Sequence, residues 1–214
     1  DKADPRLFHT VALPGLPYKY NAELIYKNDW NRNSNVYGFY ASLKENVDPS
    51  CSCFRNINPF RANSKNRIVI RYADVLLMRA EALIELNRSN EALPLINQVR
   101  QRAKQSTSMI PYATNANIAL YQDGVNITWN QENARKALRW ERRLEFAMEG
   151  SRFFDLVRWG IADQVLNDYF TKEKTRRPAI FSSAYFTKNK NEYIPIPQNQ
   201  IGYVKGIYKQ NAGF

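Results

Sequence analysis

Between Tyr72 and Ala103 the apolar residues form two runs at spacings of three and four, separated by the short polar link Arg88 to Asn90. This pattern constrains the fold more than any other feature of the chain. In the first run Tyr72, Val75, Leu76, Ala80, Leu83 and Ile84 line one face of a helix that should end near Asn87. In the second, Ala92, Leu93, Ile96, Val99, Arg100 and Ala103 do the same. So short a link makes the helices an antiparallel hairpin. Pro94 is expected in the first turn of the second helix, where its missing N–H has no intrahelical partner to lose. Ala80, Leu83, Ala92, Ile96 and Val99 loosely follow the tetratricopeptide pattern, which repeats about every 34 residues. Because such repeats become stable only when about three are stacked, one hairpin must lean on helices outside this sequence or on those that follow it.

Residues 106 to 128 read as a long polar loop carrying Tyr112, Tyr121 and Gly124. Thr128-Trp129-Asn130-Gln131 then supplies a capping-box signature, which predicts a long helix through about Met148 with Ala137, Trp140, Leu144 and Ala147 as its apolar stripe. Gly150 is placed to stop or bend it. Helical spacing resumes at Phe153, Leu156 and Val157 up to Trp159-Gly160, and a further short helix is expected from Ile161 to about Tyr169. From Lys172 the tail reads as basic and irregular, with Tyr193 to Pro197 extended by its prolines. Residues 1 to 66 are rich in Asn, Pro and Tyr, and their short apolar runs, Leu7 to Leu13 and Val36 to Leu43, predict loops with a few short strands. The expected fold is therefore mainly α. It combines a tetratricopeptide-like helical hairpin and long charged helices (67–214) with an irregular, loop-rich N-terminal segment carrying short strands (1–66).

Composition removes several classes of function. Eleven Phe, thirteen Tyr and 44% apolar residues mark a chain with a packed core. No run approaches the roughly 18 apolar residues of a membrane span, and the start DKADPRLF shows no secretion signal. A net charge of +11 invites a nucleic-acid partner. The arginines, however, are interleaved with acids on helical segments, so ion pairing is the plainer reading and no nucleic acid is expected. A zinc site needs about four ligands, and Cys51, Cys53 and the single His9 do not provide them. Two cysteines separated by one residue close a very tight ring, so free, inert thiols in a loop are expected.

The charged run Glu141 to Gly160 is the other distinctive feature. Glu141, Glu145 and Glu149 lie four apart, on one face of a helix. Paired carboxylates at such spacing could serve glycoside hydrolysis. A general acid working near neutral pH needs a raised pKa, whereas arginines at 139, 142, 143, 152 and 158 favour ionised carboxylates. The expected role is an Arg–Glu–Asp network that clamps helices together. No triad, phosphate loop or metal cluster is visible in the sequence, and no catalytic residue or cofactor is expected.

This run resembles the most recognisable motif of the SusD/RagB family, roughly ERR-x-E-F-x-x-E-G-x-R-x-x-D-L-x-R-W. Arg71 to Met78 with Ala80-Glu81-Ala82, Ile96 to Arg100, Tyr193 to Pro197 and the closing Gln210-Asn211-Ala212-Gly213-Phe214 resemble the family in the expected order. The family usually ends QNPGY, so Ala212 and Phe214 depart from it. Asp4-Pro5-Arg6 resembles a segment that leads into the family's sugar-binding region. The resemblance implies a C-terminal portion of a non-enzymatic binding lipoprotein on the outer-membrane surface of a Bacteroidetes-type bacterium. It implies a complete C-terminus, with more tetratricopeptide helices and an N-terminal lipid anchor upstream. It also implies delivery of oligosaccharide to a SusC-like TonB-dependent transporter, with peptide import as the alternative, and a scaffold role for Glu141 to Gly160.

Sugars present apolar C–H faces ringed by hydroxyls, so their sites combine aromatic platforms with amides and guanidiniums. Trp30, Arg32, Asn33, Tyr37, Phe39 and Tyr40 have that composition, in a stretch that also holds Tyr18, Tyr20, Tyr26 and Asn35. Trp30 leads this candidate site because it lies among Asn and Asp rather than in an apolar run. The loop with Tyr112 and Tyr121, together with Trp129, is a second candidate.

Overall fold

In a computed structural model of the chain, residues 2–204 and 206–214 are described. They form two compact units, Asp1–Gly150 and Ser151–Phe214. The first unit opens with α1 (Arg6–Thr10), β1 (Val11–Ala12), β2 (Pro17–Tyr18), β3 (Asn21–Ile25), a turn of 3₁₀ helix at Asn28–Trp30, α2 (Ser34–Tyr37), β4 (Ala41–Ser42), β5 (Phe54–Ile57) and β6 (Phe60–Asn63). The strands pair antiparallel as β1 with β4, β2 with β3 and β5 with β6. These ribbons are too small to bury a core of their own. Strands β1, β2 and β4 contribute to a small cluster built on Ala12, Tyr26 and Leu43, and a second small cluster gathers Phe8, Ile110 and Ala113.

The two cysteines before β5 are not free thiols. Cys51 and Cys53 are joined in a disulfide, with Cα atoms 5.1 Å apart. That separation lies within the ordinary range for disulfides. The turn in which the Cys51 N–H bonds the Asp48 carbonyl and the Phe54 N–H bonds the Cys51 carbonyl brings the two side chains to one side.

Three helices then make the principal core: α3 (Tyr72–Glu85), α4 (Ser89–Gln105) and α5 (Gln131–Glu145). The hairpin of α3 and α4 forms where expected. Asn87 adopts φ 59°, and the Arg88 N–H reaches the Leu83 carbonyl while the Asn87 N–H reaches that of Ile84. This is a Schellman stop with asparagine in the left-handed position. The α4 helix starts earlier than expected, at Ser89, so Pro94 sits in its second turn rather than its first. A forked pair from Arg88 to Glu91 (2.7 and 2.7 Å) holds this early turn together.

The buried face of α3 is Ala73, Leu76, Leu77, Ala80, Leu83 and Ile84, leaving the predicted Tyr72 and Val75 outside. On α5 the departure is larger. Asn130, not Thr128, is the N-cap, accepting from the Asn133 N–H at 2.9 Å. The helix ends at Glu145, and its buried face is Ala134, Ala137, Leu138, Glu141, Arg142 and Glu145, whereas Trp140 is exposed. Charged residues occupy the inward positions that the apolar pattern gave to Trp140 and Leu144. Trp129 packs into the core that the three helices share and donates its indole N–H to the Ser89 carbonyl at 2.9 Å.

In the second unit α6 (Arg152–Arg158) ends at Gly160, where the Ile161 N–H reaches the Leu156 carbonyl and the Gly160 N–H that of Val157. Gly160 holds φ 66°, which glycine adopts freely. α7 (Ala162–Arg176) runs well past Tyr169 and is followed by α8 (Pro178–Phe181). The start of the basic tail is therefore helical, because buried Glu173 receives Arg177 (2.8 and 2.5 Å) and Phe170 meets Phe181. A short α9 (Gln198–Tyr203) follows the extended Tyr193 to Pro197. Gln210 brackets the Ile196 backbone, accepting from its N–H (2.8 Å) and donating to its carbonyl (2.9 Å), while Asn211 donates to the Ile194 carbonyl. The closing Gln-Asn pair thus holds the proline-rich stretch, which accounts for the two sequence features occurring together.

Candidate functional site

Glu141, Glu145 and Glu149 do gather on one side of α5 and the turn after it, and arginines from elsewhere in the chain meet them. Glu141 is fully buried and accepts from Arg6 Nη1 (2.5 Å) and Arg100 Nη1 (2.8 Å). Glu145 accepts from Arg71 (2.7 Å) and from Arg102 Nη2 (2.6 and 2.7 Å). Glu149 takes a forked pair from Arg71 (3.0 and 2.9 Å) and Lys44 Nζ at 2.5 Å. Arg142, one of the arginines expected to neutralise this row, reaches Asp74 (2.9 Å). Arg6, Arg71, Arg100 and Arg102 were not among the partners expected from the sequence. For Arg6, Arg71 and Arg100 the available signal was their place in the flanking segments that resemble the family; Arg102 lies outside them.

Asp4-Pro5-Arg6 belongs to this cluster. The Asp4 carboxylate receives the Arg6 backbone N–H (2.9 Å) and forks its guanidinium (2.9 and 2.8 Å), aiming the remaining nitrogen at Glu141. Burial pushes the Asp4 carboxyl up, but the bond to Arg6 outweighs this and holds it below its ordinary value. Glu145 behaves alike: burial raises it, while Arg102, Arg71 and Arg6 together bring it below the usual glutamate range. A carboxyl so held is ionised at neutral pH and has no proton to give to a leaving group. The cluster therefore ties helices and loops together. Among the described residues no group of three metal-ligating side chains comes together, and no helix is long and apolar enough to cross a membrane.

The aromatic stretch is arranged differently. Trp30 is 41% exposed, and its ring meets Tyr18 (5.5 Å between centroids, 63° between planes) and Tyr26 (5.3 Å, 76°) edge-to-face. Tyr26 is buried and stacks on Tyr18 at 6.2 Å. These tilted contacts are the favoured geometry for aromatic pairs and hold the indole without covering it. Arg32 and Asn33 follow on the surface, Asn33 at φ 51° just before α2. Tyr37, Phe39 and Tyr40 are exposed. The Asn31 side chain donates to the Gly38 carbonyl (3.1 Å) and the Tyr40 carbonyl (2.7 Å), closing residues 31–40 into one loop next to Trp30. Among the described residues the ring contacts of Trp30 are with Tyr18 and Tyr26, so the loop gathers the six candidates into one region without stacking them on one another.

The second aromatic candidate has structural duties. Tyr112 meets Phe8 edge-on at 6.5 Å, Trp129 is 7% exposed, and Tyr121 lies between the Trp129 ring (6.0 Å) and the Arg100 guanidinium (4.1 Å).

A sequence model of the SusD family matches residues 1–214. Among curated relatives, "SusD-like protein P25" of Formosa agariphila is 35% identical over 183 residues, covering 82% of this chain and 30% of the relative. "SusD-like protein P38" of the same organism is 38% identical over 111 residues, covering 52% of this chain and 20% of the relative. Among solved structures, a SusD homolog from Bacteroides thetaiotaomicron matches with a TM-score of 0.68 and 25% identity, covering 99% of this chain and 41% of that one. A SusD superfamily protein from Bacteroides vulgatus matches with a TM-score of 0.64 and 26% identity, covering 99% and 40% respectively. The chain thus spans less than a third of the length of these curated relatives.

Proposed function

This chain belongs to the SusD family, and we propose that it is part of a non-enzymatic nutrient-binding protein that captures oligosaccharide at the cell surface through the region around Trp30. In this reading the protein sits on the outer membrane through an N-terminal lipid anchor and passes its ligand to a SusC-like TonB-dependent transporter. The observation that carries the reading is the half-exposed Trp30 indole, braced edge-on by Tyr18 and Tyr26 and bordered by the loop that Asn31 closes. A braced, open aromatic face beside Arg32 and Asn33 suits a pyranose ring, which offers C–H groups to the indole and hydroxyls to the guanidinium and amide. The buried Glu141 and Glu145 serve as scaffold in the same reading, because their oxygens are engaged by arginines.

The test is calorimetry with oligosaccharides drawn from a glycan array, run beside a peptide library. Trp30→Ala should weaken the best sugar about tenfold, the value of one good aromatic contact, while the melting temperature changes little. Unchanged affinity removes Trp30 from the site, and binding confined to the peptide library refutes oligosaccharide capture.

A further inference from the structure

One further aromatic surface shares no residue with the Trp30 region. On α5, Asn133, Lys136, Ala137 and Trp140 fall at i, i+3, i+4 and i+7, so they form a single stripe along the helix. Opposite them run Tyr121, Ile127 and Thr128 from the long loop, and the two sides enclose an open trough of about 440 Å³. Ala137, the smallest of the lining residues, leaves room between its larger neighbours. That volume falls in the range of small-ligand clefts, whose usual lining is aromatic walls with a few polar groups.

The walls are held in place by their own contacts. Tyr121 exchanges two hydrogen bonds with Asn97 (2.8 and 2.9 Å) and is backed by Arg100 and Trp129. Asn133 donates its Nδ2 to the Thr128 carbonyl (2.8 Å), linking the two sides, and keeps its own side-chain oxygen as an acceptor. Trp140 is 50% exposed although it lies on the most amphipathic of the helices, and the Arg143 guanidinium sits 5.1 Å from its ring centre. Lys136 is paired with Glu132 at 2.6 Å, which offsets its charge at the rim.

We propose that this trough is a second oligosaccharide subsite, in which a pyranose ring lies against Trp140 and its hydroxyls meet Lys136, Asn133 and Thr128. The inference rests on the oligosaccharide reading given above but uses none of the residues around Trp30. The chemistry is that of a carbohydrate rather than a lipid or a nucleotide: a flat apolar wall is flanked by an ammonium group and an amide, and the trough is too open to enclose an acyl chain. A second point of contact on one chain would let a long glycan bind at both ends, raising its apparent affinity through effective concentration.

The chain has four tryptophans, so fluorine NMR on protein labelled with 5-fluorotryptophan reads each site separately. Malto-, laminari- and xylohexaose and hexagalacturonate are titrated in turn, with signals assigned from single Trp→Phe variants. At least one sugar should move the Trp140 signal as well as that of Trp30, while Trp129 and Trp159 stay fixed. Lys136→Ala, which keeps the Trp140 label, should weaken the second response about tenfold and leave the Trp30 response intact. If Trp30 responds and Trp140 stays fixed at saturation, the second subsite is overturned and the proposed function stands. If Trp140 responds and Trp30 does not, the trough stands and the assignment to Trp30 falls. If neither moves with any of the four sugars, both fall.

Discussion

The buried carboxylate of Glu141 allows the scaffold reading of the charged run to be tested against a number. Replacing Glu141 by Gln keeps the volume and removes the charge that Arg6 and Arg100 share at 2.5 and 2.8 Å. Two charge-assisted hydrogen bonds at about 1.5–3 kcal/mol each put the loss at about 3–6 kcal/mol. Breaking a buried ion pair from one side, which strands the remaining charge, costs about 3–5 kcal/mol by a separate route. Arg6 retains Asp4 and Arg100 retains the Ala119 carbonyl (2.9 and 2.6 Å), so the lower half of the range is expected. A loss of about 3–4 kcal/mol corresponds to a fall of about 6–16 °C in melting temperature for a protein of this size. Urea unfolding followed by far-ultraviolet circular dichroism measures it, with Glu132→Gln as the control. Glu132 forms an exposed pair with Lys136 on the same helix, and its loss should be undetectable. If the two variants unfold at the same urea concentration, the cluster is not holding the fold and the scaffold argument is wrong.

Other consequences follow from the same structure. Leu77 is completely buried in the three-helix core, so Leu77→Ala should cost about 2–5 kcal/mol in urea unfolding. Asn130→Ala, which removes the N-cap of α5, should cost about 1 kcal/mol, and Asn130→Asp should restore most of it. The carboxyls of Asp4 and Glu145 lie below their ordinary values, so the stability they lend is fully present above about pH 4.5 and is lost as pH falls through their lower folded values. His9 lies between the Tyr20 hydroxyl and the Ser106 hydroxyl, and burial, reinforced by Arg102, lowers its pKa, so it adds an earlier decline beginning below about pH 6.5. Melting temperature followed against pH should show both steps, and His9→Gln should remove the first alone.

What was legible in the sequence was local. The helical hairpin could be read because its apolar period and its stop at Asn87 lie within a few residues of one another, and Gly160 marks the end of α6 in the same way. The inward face of α5 was misassigned for a physical reason. Apolar patterning assumes that large apolar side chains point inward, and here Glu141 and Glu145 do so because guanidiniums arrive to meet them. Arg6 lies 135 residues from Glu141 and Arg100 lies 41, and nothing in the local sequence records such a meeting. The region around Trp30 was legible in composition and not in geometry. It has no period, and its shape depends on particular hydrogen bonds such as those from Asn31.

Those two halves of the first unit meet at Lys44. This residue follows β4, just beyond Tyr40, and its ammonium group donates to the Glu149 carboxylate (2.5 Å) and the Glu145 carbonyl (2.7 Å). At the other end, Arg6 begins α1, which runs directly into β1, and β1 pairs with β4 through Val11 with Ser42 and Ala12 with Ala41. The carboxylate row from Glu141 to Glu149 therefore anchors residues flanking both strands of the β1–β4 ribbon, between which the Trp30 stretch runs. Burying several charges is a costly way to stabilise a fold, since apolar residues of equal volume often do better. Forked ion pairs, unlike an apolar core, fix direction as well as distance. That difference gives the cluster a part in the proposed site: it fixes where the Trp30 stretch begins and ends without contacting its rings.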